Sequence, residues 1–222
     1  ADNDGPLPAN TMRPTNRYTL HSQLSEYGAE PVDLGIAGNN KQAVQTKIIE
    51  GLDYDMFIST VGPSMNDFTY AKKMLEQLGM DIKFWRVAIK PATPIIFGVC
   101  NDVPVFCLSG QPFSFFLVLD QFIRPALMKM MGSQFIKRTE VRALLTKDIR
   151  SDNGVTSYMR ATVHVTDRGF SVTPEFIKSS SLRAFSATNG LIVIPANSGY
   201  LKSGDKVTVQ IIGDPKSNGR NS

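Results

Sequence analysis

Apolar and polar positions in the first 130 residues alternate between a helical period and short apolar runs typical of buried strands. In the first helical stretch, Leu20, Leu24 and Tyr27 recur at helical spacing, and Gly28 is placed to end the helix. Apolar residues in the later stretches follow the same period. Helices are predicted at residues 16–28, from Asn39 or Asn40, from Asn66 or Asp67, and from residue 112 to near Pro125, where a kink or an end is expected.

Short apolar runs between these helices predict the strands of one sheet. A helix after each strand is typical of a parallel sheet covered on both faces, so the predicted fold class is α/β, a three-layer domain with a mostly parallel sheet. Since such a unit normally begins with a strand, we expect the chain to start after its own first strand, with residues before Asn10 at the sheet edge or disordered. The predicted strands are residues 29–36, 53–60, 81–89, 95–100 and 103–108.

The pattern changes beyond Gly132, where strand-like runs are separated by Asp-Asn-Gly, Asp-Arg-Gly and Ser-Gly-Asp turn signals. This predicts a second, all-β domain that resembles a small barrel. The predicted organisation is an α/β domain at residues 1–135, a β-barrel-like domain at 136–215 and a polar tail at 216–222. The predicted strands of the second domain are residues 137–145, 157–165, 169–176, 190–195 and 205–212.

Composition limits the classes of function that the chain can have. No apolar run approaches the roughly 20 residues needed to span a bilayer, so we expect a cytoplasmic protein without a membrane partner. Residues 1–135 carry 11 Lys and Arg against 13 Asp and Glu, whereas residues 136–222 carry 13 against 7. The basic residues are scattered rather than clustered, which argues against a nucleic-acid partner and leaves phosphate-bearing ligands open.

The residues that bind soft metals are few. The spacing of Cys100 and Cys107 matches no zinc motif, and His21 and His164 lie far apart in the sequence. Both cysteines are predicted to be reduced, semi-buried strand residues, and both histidines to be structural. Any metal is therefore expected to be a hard cation held by oxygen ligands.

A turn of small and polar residues, Gly62 to Asp67, separates a predicted strand from a predicted helix. Loops at the carboxyl ends of parallel strands are where open α/β sheets bind ligands, because helix N–H groups and polar side chains converge there. An ordinary strand-to-helix connection is the alternative. The turn at Gly110 and Pro112 is a second place where backbone can approach a ligand closely.

In sequence the chain resembles the last two domains of the MoeA/gephyrin-type molybdopterin molybdenumtransferases, from about residue 10 to about residue 212. Four segments in the same order carry the resemblance: "TVGPSMNDFTYAKKMLEQLG", "FWRVAIKPATPIIFG", "LSGQPFSFFLVLDQFIRPAL" and "SSSLRAFSATNGLIVIPANSGYLKSGDKVTVQII". The resemblance implies a molybdopterin-binding-type α/β domain followed by a small β-barrel. Two further N-terminal domains of the family would be absent from this sequence.

The function implied by the resemblance is molybdenum cofactor biosynthesis, in which molybdate is inserted into molybdopterin or adenylylated molybdopterin with Mg²⁺. The intact protein would be a homodimer. Implied catalytic residues are Asp67 and Lys90, and Asp67 is the implied metal ligand. Implied binding residues for the pterin or its phosphate are Asn16, Gly62, Ser64, Lys90, Pro91, Ser109, Gly110, Pro112 and Ser114.

The chain departs from the family's motifs at positions that carry chemistry. In the family loop Ser-Gly-Gly-Val-Ser-x-Gly-x-x-Asp-Tyr, the first glycine is Val61 here, the later glycine is Asn66 and the aspartate is Thr69. A threonine hydroxyl cannot replace a carboxylate as a magnesium ligand, so the family's Mg²⁺ is in question here. Asp67 either takes over that role or caps the following helix.

Three functions follow from these observations. The first is a molybdenumtransferase in which Asp67, Lys90 and Ser64 handle metal and phosphate. The second is a degenerate paralogue that binds a pterin or nucleotide without inserting metal, which the loss of the carboxylate at Thr69 favours. The third is a scaffold for protein association.

Overall fold

The computed structural model describes residues 15–38, 40–62, 65–176 and 188–217. The chain divides into two compact units, which we call unit 1 (Ala1–Arg86 and Pro94–Ile136) and unit 2 (Val87–Thr93 and Lys137–Ser222). Residues 87–93, which the sequence assigns to the first domain, therefore group with the second unit.

Helices in the described residues begin and end close to the predicted positions. Asn40 caps the second helix, because its Oδ1 accepts a hydrogen bond from the Ala43 N–H at 2.8 Å. Gly28 follows the first helix with a φ of +89°, which only glycine adopts readily. The helices are α1 (Thr15–Glu26), α2 (Lys41–Gly51), α3 (Met65–Gln77), α4 (Pro112–Val118) and α5 (Arg124–Met130).

The strands of the described residues also follow the predicted order. The strands are β1 (Phe57–Val61), β2 (Asp81–Arg86), β3 (Ile89–Lys90), β4 (Pro94–Cys100), β5 (Val103–Ser109), β6 (Glu140–Leu145), β7 (Ile149–Arg150), β8 (Thr156–Thr166), β9 (Gly169–Pro174), β10 (Gly190–Ile194), β11 (Tyr200–Leu201), β12 (Lys206–Ile211) and β13 (Lys216–Ser217).

Unit 1 is a three-layer α/β domain, as predicted. Its sheet has the order β1-β5-β4-β2, in which β1 and β5 are parallel and β4 is antiparallel to both neighbours. Three of the four strands thus run in one direction. On one face of the sheet, Phe57 and Val105 share a core with Phe68 of α3. On the other face, Phe84 packs against Phe122 of the helical segment after α4, with ring centroids 6.0 Å apart. Helices therefore cover both faces.

The predicted strand at residues 29–36 is wrong, because residues 29–38 form neither strand nor helix. Val32 and Ile36 are more than half exposed, so their alternation with polar residues does not bury an apolar face. Asp33 instead accepts a hydrogen bond from the Gly35 N–H at 2.8 Å and binds Arg17. Such local side-chain bonds compete with pairing in a sheet, and Pro31 contributes no donor.

Two details of the helices also differ from expectation. Helix α3 begins at Met65, so Asn66 and Asp67 lie within its first turn instead of capping it. A π-helical segment, Leu119–Ile123, joins α4 to α5 directly before Arg124 and Pro125. Proline lacks the N–H that a regular α-helix would use there, so the predicted disturbance takes the form of a widened turn.

Unit 2 is built on a closed ring of five strands. The order β10-β12-β6-β9-β8 closes through pairing of β8 with β10, which gives the barrel that the sequence predicts. Its core contains Leu145, Val163, Ile192 and Val209. Lys216–Ser217, the start of the predicted tail, pair with β8 as a short strand, whereas residues 218–222 lie outside the described part of the chain.

Within the described ranges, no helix is long and apolar enough to cross a membrane. The expectation about residues before Asn10 concerns positions that the structure does not describe.

Candidate functional site

The carboxyl ends of the parallel strands β1 and β5 lie side by side at one edge of the unit 1 sheet. Val61 is in register with Ser109, and the Gly110 N–H donates to the Val61 carbonyl at 3.1 Å. The loops to α3 and to α4 begin at this edge. The sequence-predicted residues Gly62, Asp67, Ser109 and Gly110 are therefore neighbours, as a ligand site at the end of an α/β sheet requires.

Asn16 joins this edge from the start of α1. Its Nδ2 donates to the Gly110 carbonyl at 2.8 Å, across 94 residues of sequence. A Cβ on Gly110 would lie 3.3 Å from the Val61 carbonyl oxygen and 3.8 Å from Asn16 Nδ2. The backbone of this turn is thus closely packed on the side of Val61 and Asn16, which fixes its position. We call Asn16, Gly62, Asp67, Ser109 and Gly110 the loop cluster.

The carboxylate of Asp67 folds back over Gly62. A Cβ on Gly62 would lie 2.3 Å from Asp67 Oδ2, closer than non-bonded atoms approach. Glycine at position 62 is therefore required for Asp67 to take this position in the first turn of α3, where a negative charge interacts favourably with the helix dipole. Pro63 and Ser64, the latter a predicted binding residue, lie outside the described residues.

The remaining predicted residues of unit 1 form the start of α4. The Gln111 N–H donates to Ser109 Oγ at 3.3 Å, and Pro112 occupies the first turn, where its missing N–H costs no hydrogen bond. Ser109 and Ser114 are both buried. The Ser109 hydroxyl thus holds the turn that presents Gly110.

Lys90 belongs to unit 2, where its ammonium forms an ion pair with Asp152. Hydrogen bonding to Lys90 lowers the pKa of Asp152. The sequence did not indicate Asp152, because its Asp-Asn-Gly motif predicts only a turn. Its partner Lys90 also lies 62 residues away in the sequence. Whether Lys90 and the adjacent, exposed Pro91 bind the same ligand as the loop cluster stays a prediction.

The two residues after Pro91 hold the turn that carries Lys90. Thr93 Oγ1 donates to the Ile89 carbonyl at 2.9 Å. Ala92 is fully buried. The segment is also closed by a hydrogen bond from the Val87 N–H to the Thr93 carbonyl at 3.1 Å. These contacts fix the backbone beside Lys90.

The cysteines are free strand residues, as predicted, but they are buried and not semi-buried. Cys107 Sγ lies 2.8 Å from Ser59 Oγ, and burial raises the pKa of the thiol to about 11. A protonated, buried thiol is neither a nucleophile nor a soft-metal ligand at neutral pH.

The described residues contain no group of three or more His, Cys, Asp or Glu side chains that would hold a metal by itself. Thr69 cannot complete such a set, since its Oγ1 donates to the Met65 carbonyl within α3 at 2.9 Å. Mg²⁺ often uses only one or two carboxylates together with substrate phosphates and water. The loop cluster, with the single carboxylate Asp67, fits that mode of binding and not an all-protein cage.

Two family models match the chain in the order of its two units. The first is described as "Probable molybdopterin binding domain" and matches residues 7–129, and the second is described as "MoeA C-terminal region (domain IV)" and matches residues 142–212. The first match alone covers more than half of the chain.

Relatives and solved structures agree with these matches. The chain is 29% identical to a molybdopterin molybdenumtransferase of Bacillus subtilis over 209 residues, which is 93% of this chain and 49% of the relative. It is 27% identical to the Haemophilus influenzae protein of the same name, over 92% of this chain and 52% of the relative. A crystal structure of a MoeA molybdopterin biosynthesis protein from Pyrococcus horikoshii superimposes with a TM-score of 0.76 at 22% identity, covering 94% of this chain and 52% of that one.

The chain therefore spans about half the length of the curated relatives that it matches. The resemblance inferred from four sequence segments is confirmed by both family models and by the fold of each unit. In this chain the match to the molybdopterin-binding domain is followed by the match to the MoeA C-terminal region, and the chain belongs to the MoeA family.

Proposed function

We propose that the protein acts in molybdenum cofactor biosynthesis and inserts molybdate into molybdopterin or adenylylated molybdopterin. The observation that carries this proposal is the loop cluster, in which three segments distant in sequence meet at the carboxyl ends of β1 and β5. The names of the relatives support the choice of substrate.

In this proposal the loop cluster binds the pterin and its phosphate. Backbone N–H groups at the start of α3, beside Gly62, approach anionic oxygens, which are favoured at the N-terminus of a helix, and the Gly110 turn lets the ligand come close to the backbone. Asn16 positions the Gly110 turn, because it bonds the Gly110 carbonyl. Ser64 and Lys90 supply a hydroxyl and a cation to the anionic groups of the ligand, and Pro91 restricts the backbone beside Lys90.

Asp67 is the proposed ligand of Mg²⁺ and a proposed catalytic residue. When bound, Mg²⁺ would neutralise charge on the phosphate and molybdate oxygens. The position of Asp67 depends on Gly62, since any larger residue there would overlap the carboxylate. This dependence makes the proposal testable without changing a charged residue.

Gly62→Ala is expected to weaken Mg²⁺-dependent binding of adenylylated molybdopterin about tenfold, the effect of losing one charge-assisted contact. The added methyl group must displace Asp67 Oδ2, which would lie 2.3 Å from it. Because that atom is the end of a flexible side chain, folding should be nearly unaffected. Calorimetric titration with and without Mg²⁺ measures the binding.

Gly38→Ala is the matched control, since its added Cβ would make only an ordinary contact of 3.5 Å with Ala43. It should bind ligand as the parent does. Equal affinities for the parent and Gly62→Ala in the presence of Mg²⁺ would remove Asp67 from the proposed site.

Thr69→Asp is expected to raise Mg²⁺-dependent molybdate insertion above the level of the parent. The substitution restores the carboxylate that the family motif places there, and Thr69 is exposed on α3. Insertion is measured by the molybdenum content of the purified pterin product at several Mg²⁺ concentrations.

Thr46→Asp provides a close control, because Thr46 is also exposed and its Oγ1 also donates to a carbonyl one helical turn earlier, at 3.0 Å. If the two aspartate variants behave alike, the threonine at 69 does not separate this chain from its catalytic relatives. Ligand binding without insertion in both parent and Thr69→Asp would instead identify a binding protein.

We further propose that the intact protein is a homodimer, on family membership alone. Sedimentation of the intact protein as a monomer at high concentration would contradict this.

A further inference from the structure

A cavity of about 260 Å³ lies within unit 2 and is separate from the loop cluster. Arg150, Ser151 and Asp152 line it from the end of β7 and the loop that follows, and Ser157 and Met159 line it from β8. Ile194 lines it from β10, and the cavity is open to solvent. The volume is slightly below that of drug-sized ligand sites, which begin near roughly 300 Å³, so it suits a small molecule.

Strand register places both charged and apolar groups around Ser157. Ser157 pairs with Lys90 of β3 on one side and with Ile194 of β10 on the other. Asp152 reaches back to Lys90 in an ion pair, so Lys90 partly offsets the charge of this carboxylate. Arg150 is therefore the cation that the lining of the cavity offers to a ligand.

The loop that carries Arg150 and Asp152 is held in place by backbone hydrogen bonds. The Ser151 N–H donates to the Gly199 carbonyl at 3.0 Å, and the Gly154 N–H donates to the Ala196 carbonyl at 2.7 Å. Gly154 has a φ of +92°, which permits the tight turn. The cavity is thus formed before any ligand arrives, which lowers the entropic cost of binding.

The polar groups of the cavity are suited to an anion. The guanidinium of Arg150 lies 6.0 Å from the centre of the Tyr200 ring, and within the described residues no carboxylate lies at ion-pair distance from it. The Asp148 carboxylate interacts electrostatically with Arg150 but not at ion-pair distance, and its oxygens accept hydrogen bonds from the Tyr200 hydroxyl and the Ser203 N–H. A guanidinium and two serines that line the same cavity match the oxygens of a carboxylate or a phosphate.

We propose that this cavity binds a small organic anion, with the carboxylate or phosphate monoester at Arg150, Ser151 and Ser157 and the apolar part against Met159 and Ile194. The site lies wholly in unit 2. It does not depend on a role of the loop cluster in the transfer of molybdate.

The test is titration of the 222-residue chain with phenyl phosphate and, in a second arm, with benzoate. Binding is followed by amide chemical shifts, and saturable shifts at Ser151 and Ser157 are expected in at least one arm below about 10 mM, the range of weak fragment binding. The arm with the lower Kd identifies the anionic group that the cavity prefers.

Three variants make the test specific. Arg150→Gln should weaken binding about tenfold, whereas Asp152→Asn should strengthen it several-fold, because it removes the negative charge beside the anion. Arg168→Gln is the matched control, since Arg168 is exposed in the turn between β8 and β9 and its substitution changes the net charge equally.

No saturable shift in either arm would overturn the proposal. Equal weakening by Arg150→Gln and Arg168→Gln would also overturn it, because it would indicate attraction by net charge alone. Neither result bears on Gly62→Ala, whose effect is measured with a different ligand and on unit 1.

Discussion

Asp120→Ala is expected to lower the free energy of unfolding by about 3–5 kcal/mol, the usual cost of breaking a buried ion pair. Asp120 is fully buried in the π-helical segment, and Arg124 is 7% exposed. Arg124 Nε lies 3.8 Å from Asp120 Oδ1, and Arg124 Nη2 donates to the Ile136 carbonyl at 2.7 Å. Alanine at position 120 would leave the buried guanidinium without its carboxylate. Urea unfolding measures the loss.

The double variant Asp120→Leu with Arg124→Met should recover most of that stability, because neither charge is then buried. Asp55→Ala is the control, since Asp55 is exposed and forms no ion pair with the described residues. A loss below about 1 kcal/mol for Asp120→Ala, the range of surface ion pairs, would show that the pair does not stabilise unit 1.

Asn189→Leu is expected to destabilise unit 2 by about 2–4 kcal/mol, because it leaves buried backbone groups without partners. Asn189 is 6% exposed, and its Oδ1 accepts from the Val163 N–H at 2.6 Å. Its Nδ2 donates to the carbonyls of Val163 and Asp214 at 3.0 and 2.9 Å. Leucine has a similar size but can form none of these three bonds.

Two measurements separate this effect from a general loss of packing. Asn197→Leu, an exposed change in the same unit, should alter stability by no more than about 0.5 kcal/mol. Amide exchange at Val163 should become faster in Asn189→Leu than in the parent, because that N–H loses its acceptor. Unchanged exchange at Val163 together with unchanged stability would contradict the role given to Asn189.

The period of the apolar residues predicted those helices and strands whose own sequence shows which side chains are buried. The predicted runs near β1, β4 and β5 became strands, because each run is long enough to cross a sheet whose faces are both covered. The turn signals of the second half also worked, since Gly154, Gly169 and Gly204 all have positive φ values.

Elements that depend on a distant partner were not predictable in the same way. Residues 29–36 alternate as a strand does, but alternation does not show whether a neighbouring strand is present, and no strand forms. Of the loop cluster, turn signals alone indicated Gly62 and Gly110, and the resemblance to the family supplied Asn16, Asp67 and Ser109. The bond from Asn16 to Gly110, which spans 94 residues, could not be predicted from either. The pairing of Lys90 with Asp152 likewise follows from the fold and not from either motif.

The crossing of the chain between units has a consequence for dissecting the protein. Strands β2 and β4 pair at Arg86 and Pro94, while the tip of this hairpin, residues 87–93, supplies β3 to β8 of unit 2. A recombinant fragment beginning at residue 137 would lack β3 and expose the edge of β8 at Thr156 and Ser157. Exposed strand edges promote self-association, so insolubility of that fragment would reflect a missing strand rather than an inability of the barrel to fold autonomously.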